Sequence, residues 1–258
     1  MARKSHTHIH PASTATPFAI EAQHLVKRYK DKTVVDGLSL QVRAGETFGL
    51  LGTNGAGKTA TAEIMSGLRR PTEGSVRVLG LCPFRDRAKL RQVLGVQLQQ
   101  ANLHDALTVR DLVDLYRSFY PNPLDTEEAL AMVELREKAR TRFSNLSGGQ
   151  AQRLSIALAL ISRPQVVILD ELTTGLDPAA RRRVWSTIES LEEQTVLLVS
   201  HAMDEVERLC DRVAILDAGR IIAQGTPQQV RERAGATTLE DAFVTLTGKA
   251  VQDHQENL

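Results

Sequence analysis

The sequence predicts an α/β fold in which helices cover both faces of a parallel sheet. From Phe18 onward, short strand-like runs alternate with helical patterns. The runs at 166–169 and 196–199 are apolar at every position instead of alternating with polar residues. Strands of this kind are buried on both faces, which is typical of parallel sheets between helices. The stretch 100–163 is almost wholly helical in its pattern, so we expect a helical subdomain inserted into the α/β core.

The predicted elements follow one another regularly along the chain. Strand segments are rich in β-branched residues, and helical segments repeat apolar residues at helical spacing. The strands are predicted at 34–42, 46–51, 75–79, 95–99, 165–170, 195–200 and 212–216. The helices are predicted at 58–68, 109–119, 148–162, 178–191 and 203–210. Because the early strands alternate between apolar and polar residues, we expect them to form an antiparallel β subdomain.

Three regions are predicted along the chain. They are a disordered leader at 1–16, one α/β domain at 17–234 and a C-terminal helical tail at 235–258. The leader is rich in His, Thr, Ser and Pro and shows no apolar periodicity. Its histidines could bind a metal weakly, but a solvated tail is the favoured interpretation, because ordering a flexible segment costs entropy.

The composition excludes several classes of protein. Among 258 residues, 32 Lys and Arg balance 31 Asp and Glu, so there is no basic excess for general nucleic-acid binding. The longest apolar run, 156–161, is far shorter than the ~18 residues of a membrane-spanning helix. The first residues lack the apolar region of a secretory signal. Two cysteines, Cys82 and Cys210, suggest reduced thiols in a cytosolic protein.

The segment 52–59 fits the phosphate-binding pattern G-x-x-x-x-G-K-[ST] between a predicted strand and a predicted helix. Its glycines let the backbone turn N–H groups toward phosphate oxygens, and the helix adds its positive N-terminal end. We expect Lys58 to contact the β- and γ-phosphates and Thr59 to bind Mg²⁺. The pattern predicts a P-loop NTPase (RecA-like) core. The residues expected to bind the nucleotide here are Gly52, Thr53, Asn54, Gly55, Ala56, Gly57, Lys58, Thr59 and Ala60.

Two carboxylates, Asp170 and Glu171, follow directly after the apolar run 166–169. Metal-assisted phosphoryl transfer needs a carboxylate near Mg²⁺ and a group that orients the attacking water. Because adjacent side chains at a strand end point to different sides, Asp170 can serve the metal and Glu171 the water. His201 ends another strand at the same edge, where ligands bind in open α/β sheets. The alternatives are two solvated acids and a structural histidine.

The segment 146–150, Leu-Ser-Gly-Gly-Gln, lies between the phosphate loop and the acid pair. With these motifs and His201 in this order, the sequence resembles an ATP-binding cassette (ABC) ATPase from residue 18 to residue 249. The resemblance implies that the segment closes over ATP held by a second subunit. We therefore expect an ATP-dependent homodimer. The residues implied to bind ATP across the dimer are Ser147, Gly148, Gly149 and Gln150.

The same resemblance implies roles for single residues. Tyr29 matches the aromatic residue that stacks on adenine, and Gln99 matches the glutamine that contacts Mg²⁺ and senses the membrane partner. Asp177 matches the loop that crosses the dimer interface, and His201 matches the switch histidine at the γ-phosphate. Ala60 departs from the family, since many cassettes carry a hydroxyl residue there that contacts the α-phosphate. We therefore expect somewhat weak ATP binding.

The resemblance implies a Mg²⁺-dependent ATPase subunit on the cytoplasmic face of the membrane, which powers export of an unknown substrate through a separate permease. The segments 94–99, 107–111 and 238–248 resemble the drug-efflux branch of the family. The alternatives are an importer ATPase, an ABC ATPase acting on ribosomes or DNA, and a nucleotide-gated binding module. The intact Glu171 argues against the last of these, and no nucleic-acid partner is expected.

Overall fold

The computed structural model of the protein describes residues 18–98, 103–191 and 193–248. Within these residues the chain forms two sheets with helices packed on them. The strands are β1 (Phe18–Tyr29), β2 (Lys32–Arg43), β3 (Thr47–Leu51), β4 (Glu73–Val78), β5 (Leu94–Gln97), β6 (Val166–Asp170), β7 (Thr195–Ser200), β8 (Arg212–Asp217) and β9 (Arg220–Gly225). The helices are α1 (Lys58–Met65), α2 (Arg87–Val93), α3 (Val109–Arg117), α4 (Thr126–Met132), α5 (Gly148–Leu160), α6 (Pro178–Glu189), α7 (Met203–Leu209), α8 (Pro227–Ala234) and α9 (Leu239–Thr247).

The smaller sheet has the strand order β2-β1-β4, and both strand pairs are antiparallel. It confirms the predicted antiparallel β subdomain. The sequence pattern does not predict β1, because its apolar residues alternate irregularly. The register between β1 and β2 shifts between Ala22 and Leu25, and His24 has a left-handed φ of 49°. A bulge of this kind breaks the period of two that identifies a strand.

The larger sheet has the strand order β5-β6-β7-β3-β8-β9. Strands β5, β6, β7, β3 and β8 run parallel, and β9 is antiparallel to β8. Strands β6 and β7 are buried at every position, as their sequences predict. In register, Leu51 of β3 pairs with Ser200 of β7, and Asp170 of β6 pairs with Val199. The carboxyl ends of three strands therefore meet at one edge.

Two apolar cores lie on opposite faces of the larger sheet. One contains Val167 and Leu169 of β6 and residues of the helices α3 to α9. The other contains Val166 and Ile168 of the same strand, the smaller sheet and α1. Successive side chains of a strand point to opposite faces, so a strand between two cores must be apolar throughout.

Helices α3, α4 and α5 pack against one another and form the inserted helical subdomain. The described part of 100–163 is less helical than its pattern predicts, because turns and two short 3₁₀ segments join the helices. The pattern also misses α2, α8 and β9. Strand β9 follows a turn in which Ala218 and Gly219 both have positive φ, and Ala-Gly is a weaker hairpin signal than Asn-Gly.

Some predictions fall outside the described residues. Gln99 lies there, as do the predicted leader and the part of the predicted tail beyond residue 248. Inside the described part of that tail, Leu239 and Phe243 of α9 are buried in the same core as β6. The proposed domain boundaries stay predictions. Among the described residues, no helix is both long enough and apolar enough to cross a membrane.

Candidate active site

The phosphate loop, residues 52–59, joins β3 to α1 at the edge where β3, β6 and β7 end. Gly55 and Gly57 have positive φ values of 81° and 104°, a conformation that favours glycine. A Cβ atom on Gly57 would lie 2.2 Å from the carbonyl oxygen of Val34 in β2. The N-cap residue of α1 is Gly57, which makes no side-chain capping hydrogen bond. The loop and the helix can therefore present backbone N–H groups to an anion.

Lys58 is the first residue of α1 and is almost completely buried, with 4% of its surface exposed. Its Nζ donates hydrogen bonds to the carbonyl oxygens of Gly52 at 2.9 Å and Thr53 at 3.2 Å. The same atom lies 3.9 Å from Oε1 of Glu171. Burial lowers the pKa of Lys58, and the charges of Glu171 and Asp170 oppose that shift. The ammonium group is thus held inside the loop, where it can meet phosphate oxygens.

Asp170 ends β6 and is fully buried. Neither of its carboxylate oxygens has a hydrogen-bond partner among the described residues. Burial raises its pKa to about 6, and the neighbouring Thr59 side chain offsets part of that rise. Gln97 fixes the strand end, since its Oε1 accepts a hydrogen bond from the Asp170 N–H at 3.2 Å. A buried carboxylate without a partner is unfavourable, so this group fits beside a cation.

Glu171 follows β6 with a left-handed φ of 50°. Its N–H donates to the carbonyl oxygen of Val199 at 2.8 Å, and its Oε1 lies 3.5 Å from Nδ1 of His201. The neighbouring His201 lowers the pKa of Glu171 against the effect of burial, and Lys58 adds to the lowering. The group is therefore a carboxylate at neutral pH that can accept a hydrogen bond from water. Strained backbone of this kind concentrates at functional sites.

A cavity of about 370 Å³ opens beside the loop. Its volume falls within the range of small-molecule sites, about 300–1,000 Å³. The sequence does not single out Lys32 and Val34, which also line it, because nothing in their local pattern indicates that β2 passes the loop. The predicted site residues that line the cavity are Tyr29, Asn54, Gly55, Gly57, Lys58, Thr59, Ala60 and Glu171.

Tyr29 lies at the end of β1, with 38% of its surface exposed. The Lys27 Nζ lies 5.1 Å and the Arg69 Cζ 5.2 Å from the centre of its ring. Cations at this distance attract the face of an aromatic ring. Arg69 is in turn paired with Glu63 of α1. The ring is thus held beside the cavity, in a place where a base could stack.

The segment 146–150 lies elsewhere, at the N-terminus of α5. Ser147 caps this helix, with its Oγ accepting from the Gln150 N–H and the Gln150 side chain accepting from the Ser147 N–H. Asp177 caps α6 by accepting from two backbone N–H groups. A Cβ on Gly149 would lie 2.8 Å from the Cβ of Ala180 in α6. The two segments therefore adjoin each other. Among the described residues, neither lines the cavity.

Comparison with known proteins identifies the family. Residues 35–174 match the family described as ABC transporter, which is more than half of the chain. The chain belongs to the ABC transporter family. It is 44% identical over 233 residues to the Nod factor export ATP-binding protein I of Neorhizobium galegae, covering 87% of this chain and 67% of the relative. The namesake from Burkholderia pseudomallei is 42% identical, covering 83% and 72%.

Solved structures agree with this assignment. The ATP-binding subunit of an ABC transporter superposes with a TM-score of 0.79 at 26% identity, covering 88% of this chain and 99% of that structure. A dimeric ATP-binding cassette in a post-hydrolysis state, bound to ADP and phosphate, superposes with a TM-score of 0.73 at 26% identity, covering 80% and 98%. The predicted fold class, family and ATPase activity are confirmed. The chain is an ATP-binding, ATP-hydrolysing cassette.

Proposed function

We propose that this cassette powers export through a separate membrane permease, working as an ATP-dependent pair of identical subunits on the cytoplasmic face of the membrane. The observation that carries the proposal is the meeting of Lys58, Asp170, Glu171 and His201 where β3, β6 and β7 end. The relatives named above are export ATP-binding proteins, which favours an exporter over the importer and the ribosome- or DNA-linked alternatives.

In this proposal each residue acts through the geometry described above. Lys58 and the N–H groups of the loop bind the phosphates, because they supply positive charge where a triphosphate places negative charge. The Glu171 carboxylate accepts a hydrogen bond from the attacking water and orients it. His201 lies against Glu171 and contacts the γ-phosphate. The ring of Tyr29 stacks on the adenine.

Thr59 and Asp170 would hold a Mg²⁺ ion together with Gln99, which is outside the described residues. The fit rests on the two carboxylate oxygens of Asp170, which have no hydrogen-bond partner in the described part of the chain. No group of three His, Cys, Asp or Glu side chains among the described residues could hold a metal by itself. Phosphates and water would complete the oxygen ligands that Mg²⁺ prefers. When bound, the ion neutralises charge that develops on the transferred phosphoryl group.

The role of Glu171 is tested by Glu171→Gln, which keeps the size of the side chain and removes its charge. We expect steady-state hydrolysis to fall by about 100-fold or more, the scale of general-base catalysis, while ATP binding by calorimetry persists. Glu189→Gln serves as the control, because Glu189 pairs with Arg208 on the surface. Unchanged hydrolysis in Glu171→Gln would contradict the assignment.

The dimer is supported by the position of the segment 146–150, which adjoins Asp177 on the same chain and lies apart from the cavity. In the proposed pair, each copy brings Ser147 and Gly149 to the ATP of the other. The slow variant Glu171→Gln should therefore double in mass by light scattering when ATP and Mg²⁺ saturate it. A monomer under these conditions would contradict the pairing.

A second cavity of this chain, of about 550 Å³, is a suitable docking surface for the permease. It lies between α2 and β5 on one side and the helical subdomain on the other. Leu68, Tyr116 and Tyr120 line it. Leu68 and the nearby Phe119 are 65% and 63% exposed. Exposed apolar groups around a groove are typical of protein interaction sites. Leu98, which precedes the expected sensing residue Gln99 in the sequence, also lines this groove.

The permease is tested by affinity purification of the chain from native membranes, with partners identified by mass spectrometry. We expect a polytopic membrane protein in equal amount with the wild type, and its loss with Leu68→Asp. Val244→Asp is the matched control, since Val244 is an exposed apolar residue of α9. Recovery of only soluble partners would instead support an ABC ATPase without a transport role.

A further inference from the structure

Glu205 is a fully buried carboxyl group of α7 that contacts three other segments. Its Oε1 accepts a hydrogen bond from Nε1 of Trp185 in α6 at 3.2 Å. Its Oε2 accepts one from Oγ of Ser200 at the end of β7 at 2.5 Å. The Thr173 side chain, two residues after Glu171, offsets part of the rise in the pKa of Glu205 and so lies close to its carboxyl group. We refer to Glu205, Trp185, Ser200 and Thr173 as the Glu205 cluster.

Stability alone does not account for this carboxyl group. Burial raises the pKa of Glu205, and hydrogen bonds from Ser200, Thr173 and Trp185 offset only part of the rise. Among the described residues, no ion pair to Glu205 is found. Replacing buried charged groups by well-packed apolar side chains is often neutral or stabilising. A buried carboxyl group that joins four segments is better explained by the geometry it imposes.

The cluster fixes the backbone on both sides of His201. The Ser200 hydroxyl donates to Glu205 and also accepts from the N–H of Ala202 at 3.0 Å. Residues 200 and 202 are thereby joined through one oxygen atom, with His201 between them. Glu205 sets the direction of that hydroxyl, because Oε2 accepts its proton and leaves the hydroxyl oxygen to accept from the Ala202 N–H.

The cluster also adjoins the segment that begins with Glu171. Thr173 is 3% exposed and follows Glu171 by two residues. Glu171 itself lies 3.5 Å from Nδ1 of His201. One carboxyl group therefore accepts a hydrogen bond from Ser200, the neighbour of His201, and lies close to Thr173, two residues after Glu171. We propose that Glu205 is a positioning residue that holds His201 and Glu171 at the spacing required for ATP hydrolysis, which rests on the roles proposed for these two residues above.

The test compares Glu205→Met and Glu205→Gln with a control on the same helix. Both replacements have nearly the size of glutamate. The single carbonyl oxygen of glutamine can accept from either Trp185 or Ser200, as each carboxyl oxygen does in the wild type, whereas methionine can accept from neither. The control is Val206→Ala. Val206 is a fully buried residue of α7, so its truncation opens a cavity there while every residue of the Glu205 cluster is kept. All variants are assayed below their unfolding temperatures, with rates expressed per folded protein.

We expect Glu205→Met to lower kcat by about 10- to 100-fold, because small misplacements of reacting groups cost that much. The KM for ATP should stay near the wild-type value, since the contacts of Lys58 are untouched. Glu205→Gln should restore only part of kcat, because it keeps one of the two acceptor oxygens. A loss in Glu205→Met no greater than in Val206→Ala, or a loss that appears in KM alone, would overturn the proposal.

A second readout separates this proposal from the roles assigned to the site. If Glu171→Gln leaves hydrolysis unchanged, those roles fail, and the position of His201 is then followed by the NMR resonances of its ring, assigned through His201→Gln. Glu205→Met should shift these resonances in the nucleotide-free protein, and Val206→Ala should not. A ring signal that Glu205→Met leaves in place would overturn the positioning role of Glu205.

Discussion

The phosphate loop offers a matched pair of substitutions, Gly55→Ala and Gly57→Ala. Both glycines have positive φ, but a Cβ on Gly55 meets nothing within 4 Å, whereas a Cβ on Gly57 would lie 2.2 Å from the Val34 carbonyl oxygen. Strand β2 cannot easily move away from the phosphate loop. The N–H of Asp36 donates to the carbonyl oxygen of Gly219 at 3.0 Å, and the hairpin that carries Gly219 is itself bonded to the loop.

The geometry gives each substitution a different cost. A left-handed backbone costs a non-glycine residue about 1–2 kcal/mol, which applies to both variants. Overpacking adds about 1–3 kcal/mol, and only Gly57→Ala meets it. Since each kcal/mol lowers the unfolding temperature of a domain this size by about 2–4 °C, we expect a loss of roughly 2–8 °C for Gly55→Ala and roughly 4–20 °C for Gly57→Ala.

The assay is thermal unfolding followed by circular dichroism, without nucleotide, so that ATP binding does not enter the comparison. Wild type and both variants are measured in the same buffer. If Gly57→Ala unfolds at the temperature of Gly55→Ala, the close approach of β2 to the loop does not constrain position 57, and the reasoning is refuted.

Three further results are expected. Ala60→Ser should tighten ATP binding by about fivefold in calorimetry, the effect of one hydrogen bond of about 1 kcal/mol, and equal affinities would refute this. Arg153→Met should destabilise the helical subdomain by about 1–3 kcal/mol in urea, because the nearly buried guanidinium donates to the Val133 carbonyl oxygen at 2.8 Å; the exposed Arg208→Met should cost under ~1 kcal/mol. Because the pKa of Asp170 is raised to about 6 from an ordinary 3.8, the metal-free wild type should lose up to about 3 kcal/mol as pH rises from 4 to 6. Asp170→Asn should lack this loss, and parallel pH curves would contradict the assignment.

Local signals predicted the parts of the fold that local chemistry determines. Strands β6 and β7 could be identified because a strand between two apolar cores has no polar face. The phosphate loop could be identified because its glycines occupy positive φ values that other residues rarely adopt. The pair Asp170 and Glu171 could be placed at the edge of the sheet because they follow the apolar run 166–169, which forms most of β6.

Contacts between distant segments could not be predicted from such signals. Lys32 lines the cavity because β2 crosses beside the loop, and Arg69 reaches the Tyr29 ring from beyond α1. Glu205 has the pattern of an ordinary residue in a helix, and its burial depends on how α6 and α7 pack. The bulge at His24 hides β1 for the opposite reason, since there the structure departs from the local pattern itself.

The segment from Glu171 to Asp177 joins the two halves of the proposed dimeric site within one chain. It begins at the strained backbone of Glu171 beside the cavity and ends where Asp177 caps α6. Between them Thr173 lies close to Glu205, whose carboxyl group accepts hydrogen bonds from Trp185 in α6 and from Ser200 beside His201. Because so short a segment is bonded to β7 at its start and caps α6 at its end, a shift at the γ-phosphate cannot be absorbed by a flexible loop. We therefore expect such a shift to move the N-terminus of α6. This helix end adjoins the segment 146–150, which would contact the ATP of the other subunit.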